Sequence, residues 1–216
     1  MVENESISGK MREHYDRVWG ETDPWGFEHS DFEQARYERQ ISLLEDRRYE
    51  RVLEVGCGAG RFTRLLAGIS NSVVAVDVAP KAIDRAALED AGVIDFRAAD
   101  IMKFDLAAEG PWDLVVMSET IYCLGWLYPF FDVSWLAREL FSTSRDGGRL
   151  LLANTYGGEN DHLLSPWLIN TYRDLFRNVG FDLEFEEIFQ GVKDGVEMKV
   201  LMSRFIKSTG SSPETQ

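Results

Sequence analysis

Apolar residues in this chain fall into short continuous runs separated by stretches of helical period, and that alternation predicts the fold. RVLEV (51–55) reads as a short buried strand, after which Phe62, Leu65, Leu66 and Ile69 recur at helical spacing. SVVAVD (72–77) reads as a second strand, with the apolar continuity of a sheet covered on both faces, and VIDFRAAD (93–100), 112–118 and RLLLAN (149–154) as three more. Pro80 opens a helix through Leu88 and Pro166 another to about Val179, where Gly180 caps it. One helix is expected from the fourth strand through about Phe141, followed by a turn at Asp146-Gly147-Gly148. The stretches 181–189 and 195–205 read as a hairpin around Lys193-Asp194-Gly195. Two helices, 9–19 and 31–47, are expected before the first strand, flanking the turn-rich, aromatic ETDPWGFEHS (21–30).

Strands alternating with helices mean parallel pairing through right-handed crossovers. The expected fold is therefore α/β: a doubly wound, mostly parallel, seven-stranded sheet with an antiparallel C-terminal hairpin and N-terminal lid helices. At 216 residues, with no repeat or low-complexity linker, one domain over 1–216 is expected, with residues 1–9 and 208–216 frayed.

Charge and cysteine usage narrow the function. A net charge of −14 repels a phosphate backbone, so no nucleic-acid partner is expected. No apolar run reaches the roughly 20 residues of a membrane span, and the N-terminus lacks a signal pattern, so neither membrane nor export is expected. Two cysteines make no disulfide framework, which fits a cytoplasmic protein. His14, His29 and His162 lie scattered without zinc spacing, and no metal is expected.

The candidate chemistry begins where the first strand ends. Glu54 precedes Gly56-Cys57-Gly58-Ala59-Gly60, and glycines there let backbone amides approach a ligand closely. The dinucleotide fingerprint would need glycine at position 61, which is Arg61. In open α/β sheets ligands bind beyond the carboxyl ends of the strands. Asp77, 21 positions after Gly56, ends the second strand and can accept both hydroxyls of a ribose, with Val78 beside it. Asp100, followed by Ile101, ends the third strand, and Ser118 ends the fourth. Each acid taken alone is more often a helix cap or turn residue; the ordered set is what points to a nucleoside ligand.

The run VLEVGCGAG (52–60) resembles motif I of the class I S-adenosylmethionine-dependent methyltransferases. That resemblance implies S-adenosyl-L-methionine as cofactor, with its methionine moiety at Glu54 and Gly56–Gly60 and its adenine amino group at Asp100. Asp23-Pro24-Trp25, Phe27, Ser30, Glu33 and Tyr37, with Ser118-Glu119-Thr120-Ile121-Tyr122-Cys123-Leu124, further resemble segments of the nodulation (NodS-like) N-methyltransferases. Those enzymes methylate the amino nitrogen of a deacetylated glucosamine end, which implies a small-molecule acceptor carrying nitrogen or oxygen. Glu119 is then the candidate proton acceptor, or else the cap of the helix that follows, with Tyr122 one helical turn away and His14 a further candidate at the lid. Tyr15, Trp19, Trp25 and Phe27 are expected to close the site; Arg36 and Arg39 read either as solvent charges or, for Arg39, as the partner of the cofactor carboxylate. His162, in the loop after the fifth strand, is a weaker acceptor-side candidate. Two rival readings are a nicotinamide-dependent oxidoreductase and a cofactor-binding protein without catalysis. Oligomeric state is not legible in the sequence.

Overall fold

The computed structural model describes residues 2–21, 23–27, 29–89, 92–158 and 162–210. The fold is α/β, built on a seven-stranded mixed sheet. Its contacts group into two compact units, residues 1–104 with 193–195, and residues 105–192 with 196–216.

In the N-terminal unit the strand order is β3-β2-β1. These are β1 (Val52–Val55), β2 (Val73–Asp77) and β3 (Ile94–Ala98), all parallel, with Val52 opposite Val73 and Val73 opposite Ile94. Val52, Leu53, Val73 and Ala75 are fully buried, as the unbroken apolar runs require. Around them lie α1 (Val2–Val18), α2 (Asp31–Ser42), α3 (Arg61–Gly68) and α4 (Pro80–Ala86). Ser30 caps α2 by accepting from the Glu33 amide, and Pro80 occupies the first turn of α4, where its missing N–H is harmless.

The C-terminal unit has the order β4-β5-β7-β6. It comprises α5 (Leu106–Glu109), β4 (Trp112–Ser118), α6 (Ile121–Leu127), α7 (Phe130–Thr143), β5 (Ser144–Thr155), α8 (Pro166–Asn178), β6 (Asp182–Lys193) and β7 (Val196–Ile206). β4 pairs with β5 in parallel and β5 with β7 antiparallel, from Arg149 opposite Ile206 to Thr155 opposite Val200.

Four elements depart from the sequence expectation. α1 begins at Val2, inside the segment expected to fray, and Ser208 bonds Asp182 at the other end; Met1 and residues 211–216 lie outside the described residues. α2 stops at Ser42 rather than near Arg47, because the Leu43 amide already divides itself among the carbonyls of Arg39, Gln40 and Ile41. The long helix expected after β4 is two, broken at Tyr128-Pro129, where proline disfavours helical geometry in the residue before it. β5 begins five residues earlier than expected and absorbs the Asp146-Gly147-Gly148 turn. The Gly147 amide donates to the Lys207 carbonyl and the Lys207 amide to the Gly148 carbonyl, so tertiary pairing converts that turn into a bulge where the β4–β5 register slips.

No described helix is long and apolar enough to cross a membrane.

Candidate active site

The glycine loop hangs from the end of β1. Gly56 N–H donates to the Val76 carbonyl at 2.8 Å, which binds the loop to β2, and Gly56, Gly58 and Gly60 all have positive φ. At two of them geometry admits little but glycine. A Cβ at Gly58 (φ +53°) would stand 2.7 Å from the Trp19 ring, and one at Gly60 (φ +78°) 2.7 Å from the Phe96 ring. Gly60→Ala combines left-handed strain with a ring overlap, together ~2–4 kcal/mol. Scanning calorimetry is expected to show a Tm lower by about 5–10 °C. A shift below about 1 °C would mean that Phe96 and the loop relax freely.

Two carboxylates sit beneath this loop. Glu54 is buried in β1, and loss of hydration raises its pKa from 4.5 to about 8. The Thr63 hydroxyl tempers that rise without reaching full hydrogen-bond geometry, and the Asp77 charge adds to it. Among the described residues, Glu54 Oε2 is buried with no hydrogen-bond partner. Asp77 ends β2 and is also pushed upward by burial, against backbone donors that hold it down. It accepts from Gly58 N–H at 2.9 Å through Oδ2 and from Ala79 N–H at 2.9 Å through Oδ1. It thereby fixes the loop and the start of α4 together, and a carboxylate with about four lone-pair sites keeps acceptor capacity beyond those two. Val78 is half-buried beside it. Cys57 is buried in the loop, its thiol pushed well up by burial and by Asp77 and Glu54, so it is no nucleophile. Asp100 accepts from Met102 N–H at 3.0 Å and opens the helical turn of buried Ile101.

The aromatic segment before β1 lies over this loop. Trp19 is buried among Ala79, Ala82, Tyr15 and Ala59. Its ring meets Trp25 edge-on at 5.1 Å, Trp25 stacks on Phe27 at 5.7 Å, and Tyr37 stacks on Phe62 of α3 at 5.2 Å. Arg85 stands over the Trp19 ring at 5.9 Å and donates to the Glu21 carbonyl. Asp16 accepts from the Lys81 amide at 3.0 Å, tying α1 to α4. His14 is exposed on α1 with its ring edge-on to Tyr15. Arg39 donates to Ser42 of its own helix on the exposed side, so the expected carboxylate partner does not point inward. The buried arginine of α2 is Arg36, which the spacing did not single out, and it pairs with Glu33 at 2.6 Å.

In the C-terminal unit, β4 ends at Ser118, whose carbonyl accepts from the Thr120 hydroxyl. Glu119 follows at φ +57°, a left-handed conformation uncommon for a side-chain-bearing residue and frequent at functional sites. Its Oε2 accepts from the Tyr122 hydroxyl at 3.1 Å and from Thr155 N–H at 3.1 Å. Thr120, not Glu119, occupies the cap position of α6. Tyr156 accepts from Asn170 at 3.2 Å at the end of β5, and His162 opens a helical turn. Thr155 was missed in the sequence, since its contribution is a backbone amide with no side-chain signature. Residues 159–161 of the expected acceptor loop lie outside the described residues. Among the described residues no group of acids, histidines and cysteines is placed to hold a metal.

The family model for Nodulation protein S (NodS) matches residues 9–127, more than half of the chain. The chain belongs to the NodS family. The NodS-family chain is 28% identical over 200 residues to Nodulation protein S of Bradyrhizobium diazoefficiens, covering 89% of this chain and 90% of that one. It is 34% identical over 157 residues to the ubiquinone biosynthesis O-methyltransferase of Xanthomonas euvesicatoria, over 62% of this chain and 63% of that one. Its fold matches the crystal structure of N-methyltransferase NodS from Bradyrhizobium japonicum in complex with S-adenosyl-L-homocysteine. The TM-score is 0.75 at 23% identity, with 91% of this chain and 98% of that one covered.

Proposed function

We propose that this NodS-family protein is an S-adenosylmethionine-dependent methyltransferase whose acceptor is the amino nitrogen of a small sugar-bearing molecule. Family membership, with the NodS N-methyltransferase whose crystal structure holds S-adenosyl-L-homocysteine, supports the enzyme class and cofactor. The residues present fit that cofactor: a buried carboxylate with one oxygen unsatisfied at Glu54, a loop kept clear by glycines, and Asp77 with acceptor capacity remaining. Glu54 would hold the ammonium of the methionine moiety, Asp77 the ribose hydroxyls, and Asp100 the adenine amino group. When bound, the cofactor supplies a methyl group activated by a sulfonium.

The observation that carries the acceptor reading is the Glu119 carboxylate, fixed on a left-handed backbone and held by Tyr122 and Thr155. An amine attacks only with its lone pair free, so it must shed a proton first. A carboxylate whose second oxygen is engaged by two donors is a positioned acceptor for that proton, and it attracts the ammonium form electrostatically beforehand. Tyr122 helps to fix the carboxylate rotamer, while alignment of the nitrogen with the methyl–sulfur axis can supply up to about 7–11 kcal/mol. His14 is exposed and packs edge-on to Tyr15, which leaves the proton-accepting role to Glu119.

The ubiquinone O-methyltransferase relatives favour a second reading, an oxygen acceptor served by the same carboxylate. Labelled methyl transfer from S-adenosylmethionine to chito-oligosaccharides with a deacetylated terminal glucosamine is the test, run beside a catechol. Transfer to the amino sugar alone is expected. Transfer to the catechol alone would replace the nitrogen reading with the oxygen one.

A further inference from the structure

We propose that Lys193, at the tip of the C-terminal hairpin, is a positioning residue for the cofactor site, acting by latching the Trp25–Phe27 segment in place. The inference rests on the reading of the glycine loop as the cofactor cradle. Residues 193–195 group with the N-terminal unit, far in sequence from everything they touch there. The Lys193 ammonium donates to the Trp25 carbonyl at 2.7 Å and to Glu33 Oε1 at 2.6 Å, and it lies 5.5 Å from the centre of the Phe27 ring. The other oxygen of Glu33 is held by Arg36 at 2.6–2.7 Å, and the Arg36 guanidinium rests on Tyr37 at 4.5 Å.

Two features separate this cluster from an ordinary surface ion pair. Its carboxylate is buried and its lysine largely sheltered: the Glu33 side chain is 7% exposed and that of Lys193 18%. It also overrides a local rule. Ser30-x-x-Glu33 is the spacing of a capping box, in which the glutamate turns back to the cap residue. Here Ser30 does accept from the Glu33 amide, but both Glu33 carboxylate oxygens face cations. A carboxylate drawn away from its local partner and buried between two cations fixes a tertiary arrangement.

What it fixes is the segment over the cofactor loop. Trp25 is grasped by its carbonyl and Phe27 by its ring, and Asp23 accepts from Phe27 N–H to close the turn between them. Trp25 abuts Trp19, whose ring lies against Gly58. Lys193 therefore bears on Gly58 through two aromatic contacts and touches no reacting atom.

The test uses the full chain with S-adenosyl-L-homocysteine as probe. Wild type binding the probe is the reference; failure of wild type to bind would overturn the cofactor reading and this inference together. Lys193→Met is expected to weaken binding at least tenfold and raise KM for the cofactor in proportion, with kcat at saturation within about twofold of wild type. Lys193→Arg, which keeps the cation, is expected to stay within about threefold. Affinity within twofold of wild type in a folded Lys193→Met, or an arginine variant as impaired as the methionine one, would overturn the latch. Hydrogen exchange on wild type serves if the methionine variant does not fold. Amides of residues 19–27 and 193–195 are expected to slow together when the probe is added. Protection of residues 56–60 with none at 193–195 would overturn the proposal.

Discussion

Glu119→Gln is expected to cut methyl transfer about a hundredfold while leaving S-adenosyl-L-homocysteine affinity within twofold. Glutamine keeps the size of the side chain and an oxygen able to accept from Tyr122 and from the Thr155 amide, the two bonds that orient Glu119. What it loses is the charge that draws an ammonium and the basicity that accepts its proton. General-base assistance is worth about 10²–10⁴-fold, and the lower end suits an acceptor that also exchanges protons with water. The decisive comparison is the pH profile. The variant should recover part of its rate as pH rises and the free amine becomes abundant, whereas wild type should respond less. A variant that turns over at the wild-type rate at neutral pH would remove Glu119 from the chemistry and leave its left-handed backbone without a catalytic explanation.

The second large effect concerns Glu54 and pH. Its pKa in the folded protein, about 8, lies above the ordinary 4.5 because the side chain is buried without full hydrogen bonding. Between those two values the native state keeps a proton that the unfolded chain has lost. Stability of the ligand-free protein should therefore fall as pH rises from about 4.5 to about 8. Binding runs the other way. The ammonium of the methionine moiety needs the ionised carboxylate, so binding expels the proton. Affinity for S-adenosyl-L-homocysteine should tighten about five- to tenfold per pH unit between about pH 6 and 7.5. Glu54→Gln should flatten both trends and weaken binding at the upper end by at least thirtyfold. Calorimetry in buffers of different ionisation enthalpy reads the expelled proton directly. A wild-type affinity independent of pH would show that Glu54 is not the partner of the ammonium.

The framework of the candidate site was legible because it is built from local signals. β1 and β2 are unbroken apolar runs, and Glu54, the glycines and Asp77 sit where those runs stop. Asp77 was expected as a ribose acceptor; the structure shows it bonding Gly58 and Ala79, a structural task that spacing does not reveal. Misreadings arose where distant parts of the chain decide. Helical spacing cannot tell Arg36 from Arg39, since which side of α2 faces inward depends on what covers it. The Asp146-Gly147-Gly148 stretch has every mark of a turn, yet pairing with Lys207 makes it strand. Lys193 reads as an ordinary hairpin residue, and no local pattern connects it to Glu33.

That last connection bears on how the molecule is made. Glu33 and Lys193 are separated by 160 residues. At about 5–20 residues per second, Glu33 is synthesised roughly 10–30 s before its lysine exists. During that interval the N-terminal segment has its strands and glycine loop but not the cation that completes its buried charge cluster. A nascent chain stalled before the hairpin tip would thus hold β1, β2 and β3 under an unfastened aromatic cover. The final form of this region is set by a residue that emerges 160 positions later.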